Sequence, residues 1–411
     1  MIRGQKPLWY SARFRASTTR ALLPVLRLMT LFSLVLASAA QAQDEPWMRL
    51  HREAIVVDTH ADTLGRVLDL GVDLGERLAD GHVDFPRLRE GGVDAQFFSI
   101  WADPAYGADS LKRALRMIDA LKQQLERHPK QAQLALSAAD VRRLAGEGRL
   151  AALIGVEGGG VILNDLGVLR TLHALGARYM TLTWSVSHDW ADSSGGPVRW
   201  HGLNDFGREV VREMNRLGML VDVSHVSEET LADALETSTR PVIASHSCAR
   251  TLCDHHRNLT DAQLRAIAAK GGVVMVNFYP VFLDDVYRKR VEEAHLAVKP
   301  QSGALGAAYL DDPVGLASAL HELEVQSQGA LPAPGVGRIA DHIEHIVKVA
   351  GIDHVGLGSD FDGVPRLPAG MDDCTRLPRL TQELWRRGYR EPELRKILGE
   401  NFLRVFEAAA R

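Results

Sequence analysis

Residues 56–64 read VVDTHADTL. An apolar, β-branched run ends by placing Asp58, His60 and Asp62 at every second position. Alternate side chains of a strand share a face, so the spacing predicts that these three groups project together from a segment that is otherwise buried. Three ionisable groups on one buried face need a partner, and the fold must supply it.

Working outward, seven more short runs share that apolar, β-branched character: DAQFFSIW (94–101), AALIGVE (151–157), ARYMTLTW (177–184), MLVDVSH (219–225), PVIASH (241–246), GVVMVNF (272–278) and HVGLGSD (354–360). With AIVVDTH (54–60) they make eight. Amphipathic segments separate most of them. In 109–126, Leu111, Ala114, Leu115, Ile118, Leu121 and Leu125 recur at helical spacing, and Thr260 with Gln263 forms a capping-box pair before a helix closed by Gly271. Eight buried strands alternating with helices predict a (β/α)8 TIM-type barrel. A doubly wound open sheet is the alternative, but the first strand is followed by no G-x-G-x-x-G and the polar residues do not gather at one switch point.

On a barrel the ends of the strands share one rim. His60 and Asp62 close the first strand, Glu157 the third, His225 the fifth, His246 the sixth and Asp360 the eighth. Taken singly, a strand-end His is more often a hydrogen-bonded core residue, and an Asp there is often a helix N-cap. Independent core residues have no reason to fall at the same end of several strands, so the set predicts a metal site at the C-terminal rim. His and carboxylate donors suit Zn²⁺, and Glu157 can bridge two ions. His82, His173, His342 and His345 read as surface residues, and His255 and His256 as loop residues.

The first 42 residues hold six basic residues, no acidic one, and an apolar stretch from Leu28 to Ala40 before Ala40-Gln41-Ala42. That is the pattern of a signal peptide cut before Gln43; as a membrane anchor the stretch is too short, because a span needs about 20 apolar residues. The expectation is a 1–42 leader and one catalytic barrel over 43–411, with a 279–340 excursion near the mouth. The whole chain carries a formal charge of −4, and loss of the six basic residues makes the mature chain more acidic still. Nucleic acid is therefore an unsuitable partner. The chain ends NFLRVFEAAAR, without a hydrophobic tail. A periplasmic or secreted protein with no stable membrane anchor is expected, and the oligomeric state is left open between monomer and homodimer. Cys248, Cys253 and Cys374 are an odd count, so at least one lacks an intrachain partner.

The motifs VVDTHAD, IGVEGG, DVSHVS, IASHS, HRNLTD, GLGSDFDGV and ENFLRVF resemble those of the membrane (renal) dipeptidases, binuclear zinc hydrolases of the amidohydrolase superfamily. The likeness runs from about residue 50 to 408. It implies two Zn²⁺ held by His60, Asp62, Glu157, His225 and His246, with Glu157 bridging. It implies further that Asp360 is the proton shuttle for a metal-bridging hydroxide, and that Arg257 binds the carboxylate of a small peptide substrate. The expected activity is hydrolysis of free dipeptides, including those with a C-terminal D-residue. Another hydrolase of the superfamily, acting on an acylated amino acid or a β-lactam, is the alternative; a silent metal- or peptide-binding protein would have no use for Asp360. The chain departs from the family on the fourth strand, where Trp184 in LTWSVSHDWAD replaces the usual His, an oxyanion and substrate contact. Trp184 and His188 are thus the candidates for substrate contact there. A smaller departure is EGGG for the usual EGGH after Glu157.

Overall fold

The structure, a computed structural model, describes residues 45–309, 312–329 and 331–410. The predicted leader lies outside the described residues. Eight parallel strands form in the predicted places: β1 (Val57–Ala61), β2 (Ala95–Trp101), β3 (Leu150–Glu157), β4 (Ala177–Thr181), β5 (Leu220–Asp222), β6 (Ile243–Ala244), β7 (Val273–Val276) and β8 (Val355–Leu357). Each pairs with the next, and β8 returns to β1 through Asp58 and Leu357, so the sheet closes into the (β/α)8 barrel. A short strand, Ala132–Leu134, pairs with the start of β3 on the edge that β4 occupies farther along.

The helices form where local signals agree with burial. Ser110–Arg127 buries Ala114, Ile118, Leu121 and Leu125, although Leu115, counted in the predicted stripe, is 38 % exposed. Asp261–Ala269 starts with the predicted capping box, Thr260 and Gln263 each bonding the other's backbone. Inside the barrel, Val57, Phe97, Leu153, Tyr179, Leu220, Ile243 and Met275 form one apolar cluster. The helix Asn401–Ala409 joins it through Phe402 and Phe406, whose rings lie 5.3 and 6.4 Å from Phe97. That packing plugs the barrel below the C-terminal rim of the strands.

The long connection after β7 is largely helical, with Pro280–Leu283, Asp285–Ala308, Pro313–Gly329 and Gly337–Ala350. Its two longest helices pack on each other, and Pro313–Gly329 also meets the turn Pro104–Asp109 that follows β2. No helix among the described residues is long and apolar enough to cross a membrane. All three cysteines are buried and unbridged.

Two sequence expectations need correction. Asp58 does not join His60 and Asp62, because the β1 register shifts between Asp58 and Ala61 and breaks the alternation. Asp58 instead accepts from the Ser359 backbone N–H at 2.8 Å and from its hydroxyl at 2.6 Å, tying β1 to the segment after β8. His342 is buried rather than on the surface: its Nδ1 accepts from the Ala249 N–H and its Nε2–H donates to the Leu283 carbonyl, both at 3.0 Å.

Candidate metal centre

Two of the six predicted rim residues, His60 and Glu157, come directly from strands; Asp62, His225, His246 and Asp360 lie just beyond strand ends. The barrel brings all six together. Glu157 stands at the centre and divides its oxygens. Its Oε2 faces His60 Nε2 at 3.4 Å, while its Oε1 faces His225 Nε2 at 2.9 Å and His246 Nε2 at 3.5 Å. Asp62 Oδ2 is 3.4 Å from the same His60 nitrogen. Two groups have donor atoms close enough to share an ion, His60–Glu157–His246 and His60–Asp62–Asp360.

The backbone is bent to achieve this. His225 and Asp360 adopt left-handed conformations, with φ of 68° and 64°. Such a conformation costs a non-glycine residue on the order of 1–3 kcal/mol and persists only where its surroundings impose it. Asp360 is held by its own N–H donating to the His60 carbonyl and by the Asn277 amide donating to Oδ2 at 2.8 Å. Gly363 closes this corner, since a Cβ there would collide with the carboxylates of Asp62 and Asp360.

Hydrogen bonds behind the rim fix the histidine tautomers. The Tyr179 hydroxyl donates to the Thr59 carbonyl at 3.1 Å, so at the 2.9 Å contact between Tyr179 and His60 the imidazole Nδ1–H must be the donor. In the neutral imidazole Nε2 of His60 is left with a lone pair, buried and without a hydrogen-bond partner among the described residues. His246 repeats the arrangement. Its Nδ1 lies 2.8 Å from the Ser245 hydroxyl, which itself donates to Asp222 Oδ2 at 2.5 Å. Asp222 also accepts from Thr181 Oγ1 and from the backbone N–H groups of Ser224 and Ser245. In both cases Nε2 points its lone pair at Glu157, as a metal-binding histidine requires.

The electrostatics are those of a cavity short of positive charge. Burial raises Asp62, and Glu157 raises it further. Burial, with Asp62 and Glu157 alongside, pushes Asp360 up to about 7 against the lowering influence of His60. Burial opposes the charged form of His60, yet Tyr179, Glu157 and Asp62 outweigh it and hold the imidazole well above its ordinary range. Burial lowers His225 to about 3 and holds His246 well below its usual value. Three buried carboxylates that draw positive charge to His60, beside two imidazoles that burial keeps neutral, fit a divalent cation better than they fit protons.

Arg257 lies at the edge of this cluster. It is 5 % exposed, forms no ion pair among the described residues, and has an Nε–H without an acceptor. One guanidinium nitrogen donates to the His246 carbonyl at 3.3 Å, and the group stacks over Phe282. Burial lowers its pKa to about 10, with Asp360 and Glu157 opposing. A buried cation with unfilled donors invites an anionic ligand.

The fourth-strand departure resolves into two different environments. Trp184 stands at the mouth, its ring 6.3 Å from His225 and 5.1 Å from Trp101. His188 is turned aside. Its Nε2–H donates to the Leu182 carbonyl at 2.8 Å and its ring packs on Trp190, so it braces the loop and meets none of the clustered residues. Sequence reasoning missed Tyr179, Ser245, Asp222, Asn277 and Trp101. Ser245 and Asp222 adjoin motif histidines and were open to notice, whereas Tyr179 carries no signal until β4 is placed near β1.

A family model described as membrane dipeptidase (peptidase family M19) matches residues 45–411. Solved structures agree. A probable dipeptidase, PvdM, from Pseudomonas aeruginosa is similar at 25 % identity, covering 89 % of this chain and 97 % of that one, with a TM-score of 0.76. A metallo peptidase from Rhodobacter sphaeroides, liganded with a phosphinate mimic of the dipeptide L-Ala-D-Ala, is 28 % identical over 87 % of this chain and 99 % of its own, with a TM-score of 0.71. A dipeptidase described as a metallo peptidase of family M19 matches at 28 % identity over 87 % and 98 % of the two chains, with a TM-score of 0.70.

Proposed function

Because this chain belongs to the membrane dipeptidase family, peptidase family M19, and is a peptide-bond hydrolase, we propose that it cleaves free dipeptides, including those ending in a D-residue. His60, Asp62, Glu157, His225 and His246 would hold two Zn²⁺, with Glu157 shared between them. When bound, the ions supply Lewis acidity toward the scissile carbonyl and lower the pKa of water. The chain's own residues do the rest. Arg257 takes the substrate carboxylate, and since that group must reach a buried guanidinium beside His246, only a residue with a free C-terminus fits next to the scissile bond. Asp360, held by Asn277, accepts the proton of the attacking water and returns it to the leaving amine.

The observation that carries this reading is Arg257, a buried cation without an acidic partner among the described residues, beside six convergent metal-compatible groups. The likeness to a protein that binds an L-Ala-D-Ala mimic supports the inclusion of D-residues. The test is hydrolysis of L-Ala-L-Ala and L-Ala-D-Ala by the zinc-loaded protein, beside their C-terminal amides. Both acids should be cleaved and the amides cleaved poorly. Equal rates for acids and amides would remove Arg257 from substrate recognition. Asp360→Asn should retain its metal while kcat falls about 10²-fold or more; loss of a zinc in that variant would make Asp360 a ligand instead of a proton carrier.

A further inference from the structure

The mouth of the barrel also carries an aromatic wall. Trp101 ends β2, two residues beyond Ser99, whose hydroxyl donates to Glu157 Oε2 at 3.2 Å. Side chains two apart on a strand share a face, so Trp101 points into the same mouth, and its Cα is register partner to Glu157 itself. Trp184 joins it from beyond β4. The two ring centroids lie 5.1 Å apart with planes tilted by 57°, and Trp184 reaches within 6.3 Å of the His225 ring. Gly158, at φ +99°, passes beside the Cβ of Trp184. Neither tryptophan belongs to the buried core, and the buried Trp101 indole N–H has no acceptor among the described residues.

Trp101 stands across the barrel from the anion site, and Trp184 lies between the two, beside His225. Arg257 touches His246 beyond β6, and in a ring of eight strands β6 lies across from β2. A dipeptide with its carboxylate on Arg257 and its peptide bond over Glu157 therefore sends its amino-terminal residue toward β2 and β4. We infer that Trp101 and Trp184 form the subsite for that residue's side chain and select large apolar or aromatic groups; this rests on the dipeptidase reading above. The rings are in contact, so nothing enters between them. Their exposed faces instead make an angled corner, against which a third ring packs edge-to-face and an aliphatic chain packs flat. Covering that half-exposed apolar surface releases water, a gain that glycine at the same position cannot make.

The experiment compares Phe-Ala, Leu-Ala, Gly-Ala and Lys-Ala on the zinc-loaded wild type and on Trp101→Ala, Trp184→Ala and Trp184→Phe. The wild type should favour Phe-Ala and Leu-Ala over Gly-Ala by about tenfold or more in kcat/KM. Either alanine variant should bring that ratio toward one, and Trp184→Phe, which keeps a ring, should retain most of it. A wild-type ratio near one, a preference for Lys-Ala, or a preference that survives both alanine variants overturns the inference while leaving dipeptide hydrolysis standing. Failure to cleave any of the four overturns the reading beneath it. Titration of tryptophan fluorescence then decides the corner separately: free L-phenylalanine should perturb the emission and glycine should not, and an equal or absent response to both ends the proposal.

Discussion

Nε2 of His225 lies 2.9 Å from Nε2 of His246, and both face the same oxygen of Glu157. Two imidazole nitrogens and a carboxylate oxygen at this spacing need a proton or a cation among them. Burial holds both imidazoles far below their usual pKa, so a second proton is not taken up at neutral pH. The purified protein should therefore bind two zinc equivalents by elemental analysis, and chelation should abolish peptide hydrolysis and lower Tm. Zinc at 100 times its Kd contributes about 2.7 kcal/mol per site. His225→Ala should lose one ion preferentially; a variant that keeps both would exclude His225 as a ligand.

The bonds behind the histidines predict an effect on affinity rather than on shape. Tyr179→Phe removes the acceptor for His60 Nδ1–H, and Ser245→Ala breaks the link from His246 to Asp222. Each should weaken zinc binding by roughly 10- to 100-fold in competition with a chromophoric chelator. Unchanged affinity in both would mean that packing alone orients the rings.

His188 is expected to matter for stability and little for turnover. Its Nε2–H is committed to the Leu182 carbonyl and its ring to Trp190. His188→Ala should destabilise the fold by about 1–3 kcal/mol, the range for stranding a buried partner, with kcat for a good dipeptide near wild type. A fall in kcat of tenfold or more at unchanged KM would return His188 to the oxyanion.

Acid should destabilise the protein through histidines remote from the metal ligands. Burial lowers His342 and His188 to about 4, against an ordinary value of 6.5. Between those values the unfolded chain takes up protons that the folded chain refuses, so stability is complete above about pH 6.5 and is lost as pH falls toward 4. Each group contributes at most roughly 3 kcal/mol. His342 has a further reason, since protonated Nδ1 can no longer accept from Ala249. Urea melts at pH 7 and pH 5 should show the loss, and His342→Gln should reduce the pH dependence; an unchanged slope would assign the acid sensitivity elsewhere.

The leader makes its own prediction. Expressed with residues 1–42 in a bacterium with an intact export pathway, the protein should accumulate in the periplasm or the medium with Gln43 at its N-terminus. Edman sequencing of a cytoplasmic product that begins at Met1 would reject both the cleavage site and the location.

The sequence by itself determined the eight strands, the barrel and the identity of the rim residues. A buried parallel strand must be apolar along its length, so a His or carboxylate at its end stands out, and eight such ends on a closed sheet can only converge. The capping box at Thr260 was legible for the same reason, being local chemistry between residues three apart. Only the tertiary structure decided which of the regularly spaced groups meet. The register shift in β1 sends Asp58 to Ser359 and His60 to Tyr179, and the point where the alternation breaks is set by pairing with the neighbouring strand, which the spacing of β1 alone does not carry. The left-handed turns at His225 and Asp360, the turning aside of His188, and the meeting of Trp101 with Trp184 are likewise settled by contacts between distant parts of the chain. Strand periodicity fixes which face a side chain takes, but its partners depend on register and loop path, which are set by packing summed over the whole barrel.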